Sequence, residues 1–429
     1  MIFPRLIRIR QTFDRTSVRN IPEAVREELV KLHLKNIIKP EDRVAITAGS
    51  RGISHIALIL KTIVESLKDL GAKPFLFPAM GSHGGATAEG QVALLKHYQI
   101  TEENIGAPIL SSMEAVEIGE TELGIPVYID RNAFQADHII VVNRIKPHTK
   151  FKGPVESGLM KMMAIGMGKQ KGADLSHKAA IHYGFPKIIE GASRVVLRRA
   201  PILLGLGIIE NGYDETARIV GLSPEEIESR EKDLLSQARQ MMPKLPFNQI
   251  DLLIVDEMGK DISGVGMDPN VTGRNRDLTG TFPHPTNVKR LFVRNLTEGA
   301  HGNAIGIGLA DLTTKRLVEK IDFQAMYMNC TTAISLEKAS IPMSFDTDEE
   351  AIRVGLGSIG LTPPDRARIV RIRNTLHLDE VEVSEVYWDE LIGRSDLEIL
   401  EGPYPMRFDP QGNLTDLIPQ GRRKKEIVD

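Results

Sequence analysis

The segment Arg43-Val44-Ala45-Ile46-Thr47, followed by Gly49-Ser50-Arg51-Gly52, decides the fold. The first five residues predict a buried strand, and the glycine-containing turn leads into an amphipathic helix. Apolar residues of that helix recur at intervals of three and four from Ile56 to Leu70, with Ser54 as the expected N-cap and Gly71 just beyond the helix. A strand that passes through a glycine turn into a helix is the repeating unit of a parallel α/β sheet.

The same alternation continues along the chain. Residues 74–78 predict a second strand, which is followed by the loop Gly81-Ser82-His83-Gly84-Gly85 and a helix over residues 88–98. Residues 138–145 predict another buried strand, and Lys146-Pro147-His148 stands at its end. Functional groups in parallel α/β sheets collect on the loops at the carboxyl ends of the strands. We therefore expect these loops to share one edge of the sheet.

The length of 429 residues predicts two domains. Ser223-Pro224-Glu225-Glu226 is typical of a helix start, and that helix is predicted to end near Met242. Pro243-Lys244-Leu245-Pro246 is interpreted as a linker before a new strand at residues 250–255. We therefore predict two α/β domains with mainly parallel sheets, at residues 1–246 and 247–429, and an active site in the cleft between them.

The second domain is expected to close over the substrate, and its tail could return to the first domain. The basic run at residues 422–425 in that tail is interpreted as a solvated surface.

Composition excludes several classes of protein. The chain carries 54 Lys and Arg against 57 Asp and Glu, a net charge of −3, which argues against a nucleic-acid binder. Its single cysteine, Cys330, excludes an internal disulfide framework and a cysteine-based metal cluster. No apolar run is long enough to span a membrane, and the N-terminus lacks the apolar run of a signal peptide. We expect a cytoplasmic protein without nucleic-acid or membrane partners.

Three histidines stand in unusual surroundings: His83, His148 and His177. Each follows a strand end or a glycine-rich stretch, so the three could converge on one edge of the sheet. His182 follows His177 by five residues, which in a helix places the two about 140° apart. They cannot bind one metal from the same helix face, and His182 is interpreted as a structural or surface residue.

Two cationic residues complete the candidates. Lys161 lies in the apolar run 159–167, so it is either a snorkelling side chain or a desolvated amine that acts as a nucleophile. Arg51, between a strand and a helix, suits the binding of an anion. Asp256 and Glu257 follow the first strand of the second domain and are lesser candidates for a cleft-facing role.

The order of these motifs resembles the nickel-pincer-nucleotide-dependent lactate racemase family. The motifs that carry the resemblance are GSR at 49–51, GSH at 81–83, KPH at 146–148, SGLMK at 157–161 and LSH at 175–177. The overall length and the split into two domains fit the same family.

The resemblance implies a role for each residue. Lys161 would hold the cofactor, a pyridinium-3-thioamide-5-thiocarboxylic acid mononucleotide nickel complex, through a thioamide, and His177 would be the protein ligand to nickel. Arg51 would bind a carboxylate or a cofactor oxyanion, and His83 and His148 would be the two catalytic bases. The implied partners are a small 2-hydroxy acid as the substrate and the enzymes that make the cofactor.

The chain departs from the family pattern in three places. Thr47-Ala48-Gly49-Ser50 lacks the aspartate that precedes the family's arginine, the GSH loop continues as Gly-Gly-Ala rather than Arg-Pro, and SGLMK replaces Gly-Gly-Arg-Lys. The family's second-domain substrate contacts match no segment. We therefore expect a divergent branch that racemises or epimerises another 2-hydroxy acid.

The residues leave two alternatives open. One is a zinc- or manganese-dependent hydrolase or lyase that uses the same histidines, although no HxH or HExxH pattern supplies a third ligand. The other is a non-catalytic ligand-binding protein in which the histidines hold the loops in place.

Overall fold

The computed structural model describes residues 2–278 and 282–417. The expected basic tail lies outside the described residues. The strands, in chain order, are β1 (Leu6–Gln11), β2 (Arg43–Ala48), β3 (Lys73–Pro78), β4 (Ala115–Glu120), β5 (Pro126–Asp130), β6 (His138–Arg144), β7 (Ile202–Glu210), β8 (Thr216–Leu222), β9 (Gln249–Val255), β10 (Asn287–Val293), β11 (Leu312–Thr314), β12 (Met343–Phe345), β13 (Ile369–Ile372), β14 (Glu380–Ser384) and β15 (Leu397–Tyr404).

The helices follow the same order. They are α1 (Ile21–Lys31), α2 (Ile56–Asp69), α3 (Ala88–His97), α4 (Glu102–Ile105), α5 (Arg131–Phe134), α6 (Leu159–Lys161), α7 (Lys169–Tyr183), α8 (Phe185–Arg199), α9 (Pro224–Met241), α10 (Pro269–Thr272), α11 (Lys315–Glu319), α12 (Phe323–Thr332), α13 (Asp348–Gly357) and α14 (Trp388–Leu391).

The chain forms two compact units. The N-terminal unit comprises residues 14–242, and the C-terminal unit comprises residues 2–13, 243–278 and 282–417. The two units part between Met242 and Pro243, four residues before the boundary that the sequence analysis places at 246. The first described residues belong to the C-terminal unit because β1 pairs with β14 and β15.

The N-terminal unit is built on a five-stranded sheet in the order β3-β2-β6-β7-β8. The first four strands are parallel, and β8 runs antiparallel to β7. Successive side chains of a strand point to opposite faces of its sheet. Ala45 therefore joins one apolar core, while Val44 and Ile46 join the other. Helices α1 and α2 contribute to the second core and α8 to the first, so the sheet is buried on both faces.

The C-terminal unit contains an eight-stranded sheet in the order β12-β11-β10-β9-β13-β14-β1-β15. The strands from β12 to β13 are parallel, whereas β14, β1 and β15 pair antiparallel. Most of the strand pairs in the two large sheets are parallel, which confirms the predicted fold class. Within the described parts of the chain, no helix combines the length and apolar character needed to cross a membrane.

The predicted starts of α9 and α2 differ in how well they match the structure. The capping box at Ser223 and Glu226 is confirmed at the start of α9. The prediction that Ser54 caps α2 is wrong, because His55 occupies the N-cap position in a left-handed conformation, with φ of 58°. The backbone N–H of Ser54 instead donates to Glu210 Oε1 at 2.6 Å. The Ser54 backbone thus makes a tertiary contact with β7, and its hydroxyl oxygen lies 2.9 Å from His55 Nδ1.

Packing of α2 on the sheet gives a direct test of the core. We expect Leu60→Ala to lower the free energy of unfolding by about 2–5 kcal/mol, because Leu60 is fully buried. Leu58→Ala, in the same helix, should cost less than about 1 kcal/mol because that side chain is 39% exposed. Urea denaturation of both variants measures the difference, and equal losses would contradict the packing described above.

Candidate active site

The loops that follow β2, β3 and β6 form the candidate active site of the N-terminal unit. These strands are parallel neighbours, so their carboxyl ends meet at one edge of the sheet. Arg51 follows β2, His83 follows β3 and His148 follows β6. Three of the residues singled out in the sequence therefore lie at this edge.

His83 is fixed by contacts at its Nδ1 atom. Nδ1 lies 2.9 Å from the carbonyl oxygen of Met80 and 2.9 Å from Ser50 Oγ. A carbonyl oxygen can only accept a hydrogen bond, so Nδ1 carries the proton of the neutral ring. The nitrogen of neutral His83 that can accept a proton is therefore Nε2.

His148 has the opposite tautomer. The backbone N–H of Lys150 donates to His148 Nδ1 at 3.0 Å, so Nδ1 carries a lone pair. The proton of the neutral ring then lies on Nε2. Nε2 is 2.9 Å from Lys161 Nζ.

This tautomer of His148 pairs with the neutral form of Lys161. An ammonium group has three donors and no acceptor, so it cannot accept the Nε2 proton of His148. The hydrogen bond with this tautomer therefore forms in those molecules in which Lys161 Nζ is a neutral amine with its lone pair directed at the ring. The sequence leaves two interpretations of Lys161 open, a snorkelling side chain and a desolvated nucleophilic amine. This geometry favours the second.

The surroundings of Lys161 act in the same direction. The amine is surrounded by protein atoms, and this burial, together with the positive charges of Arg51 and Lys146, lowers the pKa of Lys161 from 10.5 to about 8. The residue as a whole is partly exposed.

Arg51 combines an exposed side chain with a lowered pKa. Its side chain is exposed, yet the surrounding protein displaces enough water to lower the pKa of its guanidinium, with Arg144 adding a like charge. The expected contribution of the α2 N-terminus to anion binding is only partly available, because Glu210 already accepts from Ser54 N–H and pairs with Arg144.

A buried carboxylate holds the His148 loop. Glu156 accepts from the backbone N–H of His148 at 2.6 Å and from that of Gly153 at 3.1 Å. Arg239 of α9 donates to Glu156 Oε1 at 2.7 Å and neutralises its charge. The loop is thereby tied to a helix, and the backbone of His148 is fixed before any ligand binds.

Two aromatic rings connect His148 with His177. The His148 ring stacks on Phe151 with centroids 4.3 Å apart, and Phe151 stacks on Phe185 at 4.8 Å. His177, in the middle of α7, meets the same Phe185 edge to face at 5.3 Å. The structure therefore brings His177 to the same cluster. His182 lies exposed on the surface, in the same helix.

The loop of His83 is held from below by Gln91. Gln91 is fully buried in α3, and its Nε2 donates to the carbonyl oxygens of Gly81 at 3.0 Å and His83 at 3.3 Å. Its Oε1 accepts from Lys169 Nζ at 2.8 Å. Both the NH2 group and the oxygen of the Gln91 amide are therefore hydrogen-bonded.

Lys169 connects the His83 loop to the start of α7. It is fully buried and adopts a left-handed conformation with φ of 55°. Besides Gln91, its Nζ donates to the carbonyl oxygen of Pro78 at 2.8 Å and lies 3.6 Å from Asp130 Oδ2. All three neighbours are acceptors, which suits an ammonium group, although burial lowers the pKa of Lys169 against the opposing charge of Asp130.

Glu231 lies beneath the segment that carries Lys161. Its Oε2 accepts from the backbone N–H of Met160 at 2.9 Å, and its buried Oε1 has no hydrogen-bond partner. Burial raises the pKa of Glu231 from 4.5 to about 7. A Cβ atom at Gly158 would collide with Oε1, so a larger residue there would force the Glu231 side chain to move.

Three residues that hold the site, Glu156, Gln91 and Glu231, are not among the candidates predicted from the sequence. A signal existed for Glu231, which is four residues after Ile227 and four before Leu235, on the buried stripe of α9. A carboxylate on an apolar stripe indicates a buried partner. The backbone groups that Glu156 and Gln91 bind come together only in the folded chain, so no local pattern marks them.

Two lesser candidates are paired within the C-terminal unit. The Oδ1 atom of Asp256 lies 2.8 Å from Arg371 Nε and 2.9 Å from Arg294 Nη1. Glu257 lies 2.9 Å from Arg373. Residues 2–278 and 282–417 contain no group of three or more His, Cys, Asp or Glu arranged to hold a metal ion. A site with one histidine ligand does not require such a group.

A parallel α/β sheet with histidines and a neutral lysine at its carboxyl edge defines the N-terminal unit as a candidate enzyme domain. Residues 8–184 match the family model described as the lactate racemase N-terminal domain. The chain is also similar to the lactate racemase apoprotein from Thermoanaerobacterium thermosaccharolyticum, at 13% sequence identity and a TM-score of 0.49. That alignment covers 86% of this chain and 98% of the other. None of the curated proteins matches the chain.

The match over residues 8–184 agrees with the family that the motif resemblance predicts. All five motifs lie within the matched residues.

Glu231 should make the stability of the chain depend on pH. Its pKa is raised to about 7 in the folded state, so the folded chain binds more protons than the unfolded chain between pH 4.5 and 7. As the pH rises from 4.5 to 7, we expect the free energy of unfolding to fall by up to about 1 kcal/mol per pH unit. Glu231→Gln should remove this component. Urea denaturation from pH 4.5 to 8 measures it, and an unchanged slope in the variant would reject the assignment.

Gln91→Glu should destabilise the His83 loop. The new carboxylate has no proton to donate to the carbonyl oxygens of Gly81 and His83, so we expect a loss of about 2–4 kcal/mol in the free energy of unfolding. The same substitution at Gln135, which is exposed, should change it by less than about 0.5 kcal/mol. Urea denaturation compares the two, and similar values for both would show that Gln91 does not hold the loop.

Proposed function

We propose that the protein is a racemase or epimerase that inverts C2 of a 2-hydroxy acid, with a nickel-pincer nucleotide bound at Lys161. The observation that carries this proposal is the hydrogen bond from His148 to Lys161, which forms with a neutral, nucleophilic amine at the sheet edge. A lysine can form a thioamide only through such an amine.

The residues fit the cofactor. Lys161 offers the amine for attachment, and His177 offers an imidazole on the neighbouring helix α7, a suitable ligand for nickel. Arg51 and Lys146 contribute positive charge near the amine, which suits an anionic nucleotide and a substrate carboxylate. When bound at Lys161, the cofactor would supply an electrophilic carbon suited to reversible hydride transfer with C2.

The protein contributes binding and proton transfer. Arg51 binds the substrate carboxylate and so orients the hydroxyl group towards the histidines. The Nε2 atom of His83 carries the lone pair that accepts the hydroxyl proton of one enantiomer, and His148 is the base for the other enantiomer. Each ring gives the proton back in the reverse direction, and histidine is suited to both roles near neutral pH. Phe151 and Phe185 hold the His148 ring in place.

The proposal places the protein in the cytoplasm, together with the enzymes that make the cofactor. The departures from the family motifs support a 2-hydroxy acid or sugar acid other than lactate. The proposal rests on the residues that would hold the cofactor, Lys161, His177 and Arg51. It does not rest on substrate contacts in the second domain.

Cofactor attachment is the first test. Protein made in cells that also express the cofactor-biosynthesis enzymes should show a mass increase of cofactor size and about one nickel per chain. Both should be lost in Lys161→Ala, which removes the amine. The matched control is Lys178→Ala in α7, where the lysine is exposed and pairs only with Asp174.

Intact mass spectrometry and metal analysis read out this test. Normal racemisation by Lys161→Ala would end the mechanism. Bound zinc without an adduct would favour the hydrolase alternative, and neither metal nor adduct would favour a binding protein. A known lactate racemase made in the same cells shows that the biosynthetic enzymes are active.

The two histidines are tested by activity and adduct together. His83→Ala and His148→Ala should each lower the racemisation rate by about 100-fold to 10,000-fold while the adduct remains, because each removes one proton-transfer group. Chiral chromatography of a panel of 2-hydroxy acids measures the rate. Loss of the adduct would reassign that histidine to cofactor binding.

A further inference from the structure

The amine of Lys161 is arranged as a nucleophile in the cofactor-free chain. Its lone pair is engaged only by the Nε2 proton of His148, and the residue as a whole is partly exposed. At pH 7 an amine with a pKa of about 8 is neutral in about one molecule in ten, against about one in three thousand for an ordinary lysine. That is an increase of about 300-fold in the reactive form.

The charges around the amine select the kind of ligand. Arg51 and Lys146 both lie close enough for their positive charges to act on Lys161, and Arg51 remains exposed. A neutral amine reacts with a carbonyl carbon, and a guanidinium binds a carboxylate. A ligand that carries both groups on adjacent carbons is a 2-oxo acid.

We propose that the cofactor-free protein binds 2-oxo acids covalently, as an imine between Lys161 Nζ and C2 of the ligand. Arg51 holds the ligand carboxylate and His148 transfers the protons. This inference goes beyond the proposed racemase activity, because it requires neither nickel nor the nucleotide.

The reaction balances without an oxidant or a reductant. The Nζ lone pair forms the bond to C2 as the C=O π bond breaks, and one of the two Nζ protons passes to the carbonyl oxygen to give a neutral carbinolamine. The hydroxyl group then leaves as water, with the proton that His148 Nε2 donates. Nζ returns a proton to His148 as the C=N bond forms. One amine and one 2-oxo acid therefore give one imine and one water.

Imine formation and cofactor attachment exclude each other, because both use the same nitrogen. A 2-oxo acid bound at Lys161 would thus protect the amine of the free protein until the cofactor arrives. The loaded enzyme should not form the imine.

Reductive trapping tests the inference. The cofactor-free full chain is incubated with pyruvate and sodium borohydride, which delivers hydride to the imine carbon and makes the bond permanent. We expect one stoichiometric pyruvyl adduct by intact mass, located on Lys161 by peptide mapping. Lys161→Met should lose it, and Lys178→Met should retain it.

Ligand selectivity tests the role of Arg51. The wild-type chain should be trapped by pyruvate at least about tenfold faster than by acetone, which has the ketone but no carboxylate. Arg51→Gln should lose most of this preference while its reaction with acetone persists. The trapping rate should rise with pH and level off above pH 8.

Either of two results would overturn the inference. One is the absence of an adduct on folded wild-type protein, and the other is an adduct that maps only to other lysines or to the N-terminus. Circular dichroism and thermal melting of Lys161→Met show whether that variant is folded, and mapping on the wild type does not depend on it. If cofactor attachment succeeds but trapping fails, only this inference falls. If trapping succeeds but attachment fails, the proposed racemase falls.

Discussion

The chemistry of the candidate site depends on one backbone hydrogen bond, from Lys150 N–H to His148 Nδ1. Because a backbone amide can only donate, it fixes a lone pair on Nδ1 and a proton on Nε2. That proton in turn pairs with the neutral form of Lys161, since the ammonium form would have no acceptor to offer. Glu156 and Arg239 hold the loop in which this bond forms. The nucleophilic state of the amine thus follows from loop geometry, with burial and nearby cations acting in the same direction.

Two lysines eight residues apart show how tertiary contacts assign different roles to the same side chain. Lys161 faces a hydrogen-bond donor, which favours its neutral form, whereas Lys169 faces a carbonyl, an amide oxygen and a carboxylate. The first is available for reaction. The second is enclosed, and it braces the His83 loop through Gln91 while its backbone adopts a left-handed conformation. Strained, buried polar groups of this kind persist where the surrounding structure holds several elements in register.

Much of the fold could be predicted because its signals are local. The β2 strand, the α2 stripe and the capping box at Ser223 each depend on neighbours within a few residues, and the structure confirms them. The predicted cap of α2 is wrong because His55, in a left-handed conformation, occupies the N-cap position, while the Ser54 N–H binds Glu210, 156 residues away. The pairing of β1 with β14 was not foreseen, since six residues at one end of the chain contain no information about a partner near the other.

The amino-acid sequence alone indicates which residues are candidates for reaction. The order of strand, glycine loop and helix predicts Arg51, His83 and His148 at strand ends, and the order of the motifs indicates the family. The motif pattern also drew attention to Lys161 and His177. Only the tertiary structure decided their chemical states. A histidine tautomer, a lysine pKa and a buried carboxylate such as Glu231 depend on which donors and acceptors lie within hydrogen-bonding distance. Those neighbours come from segments distant in the chain, and hydrogen bonding and desolvation act through space rather than along the sequence.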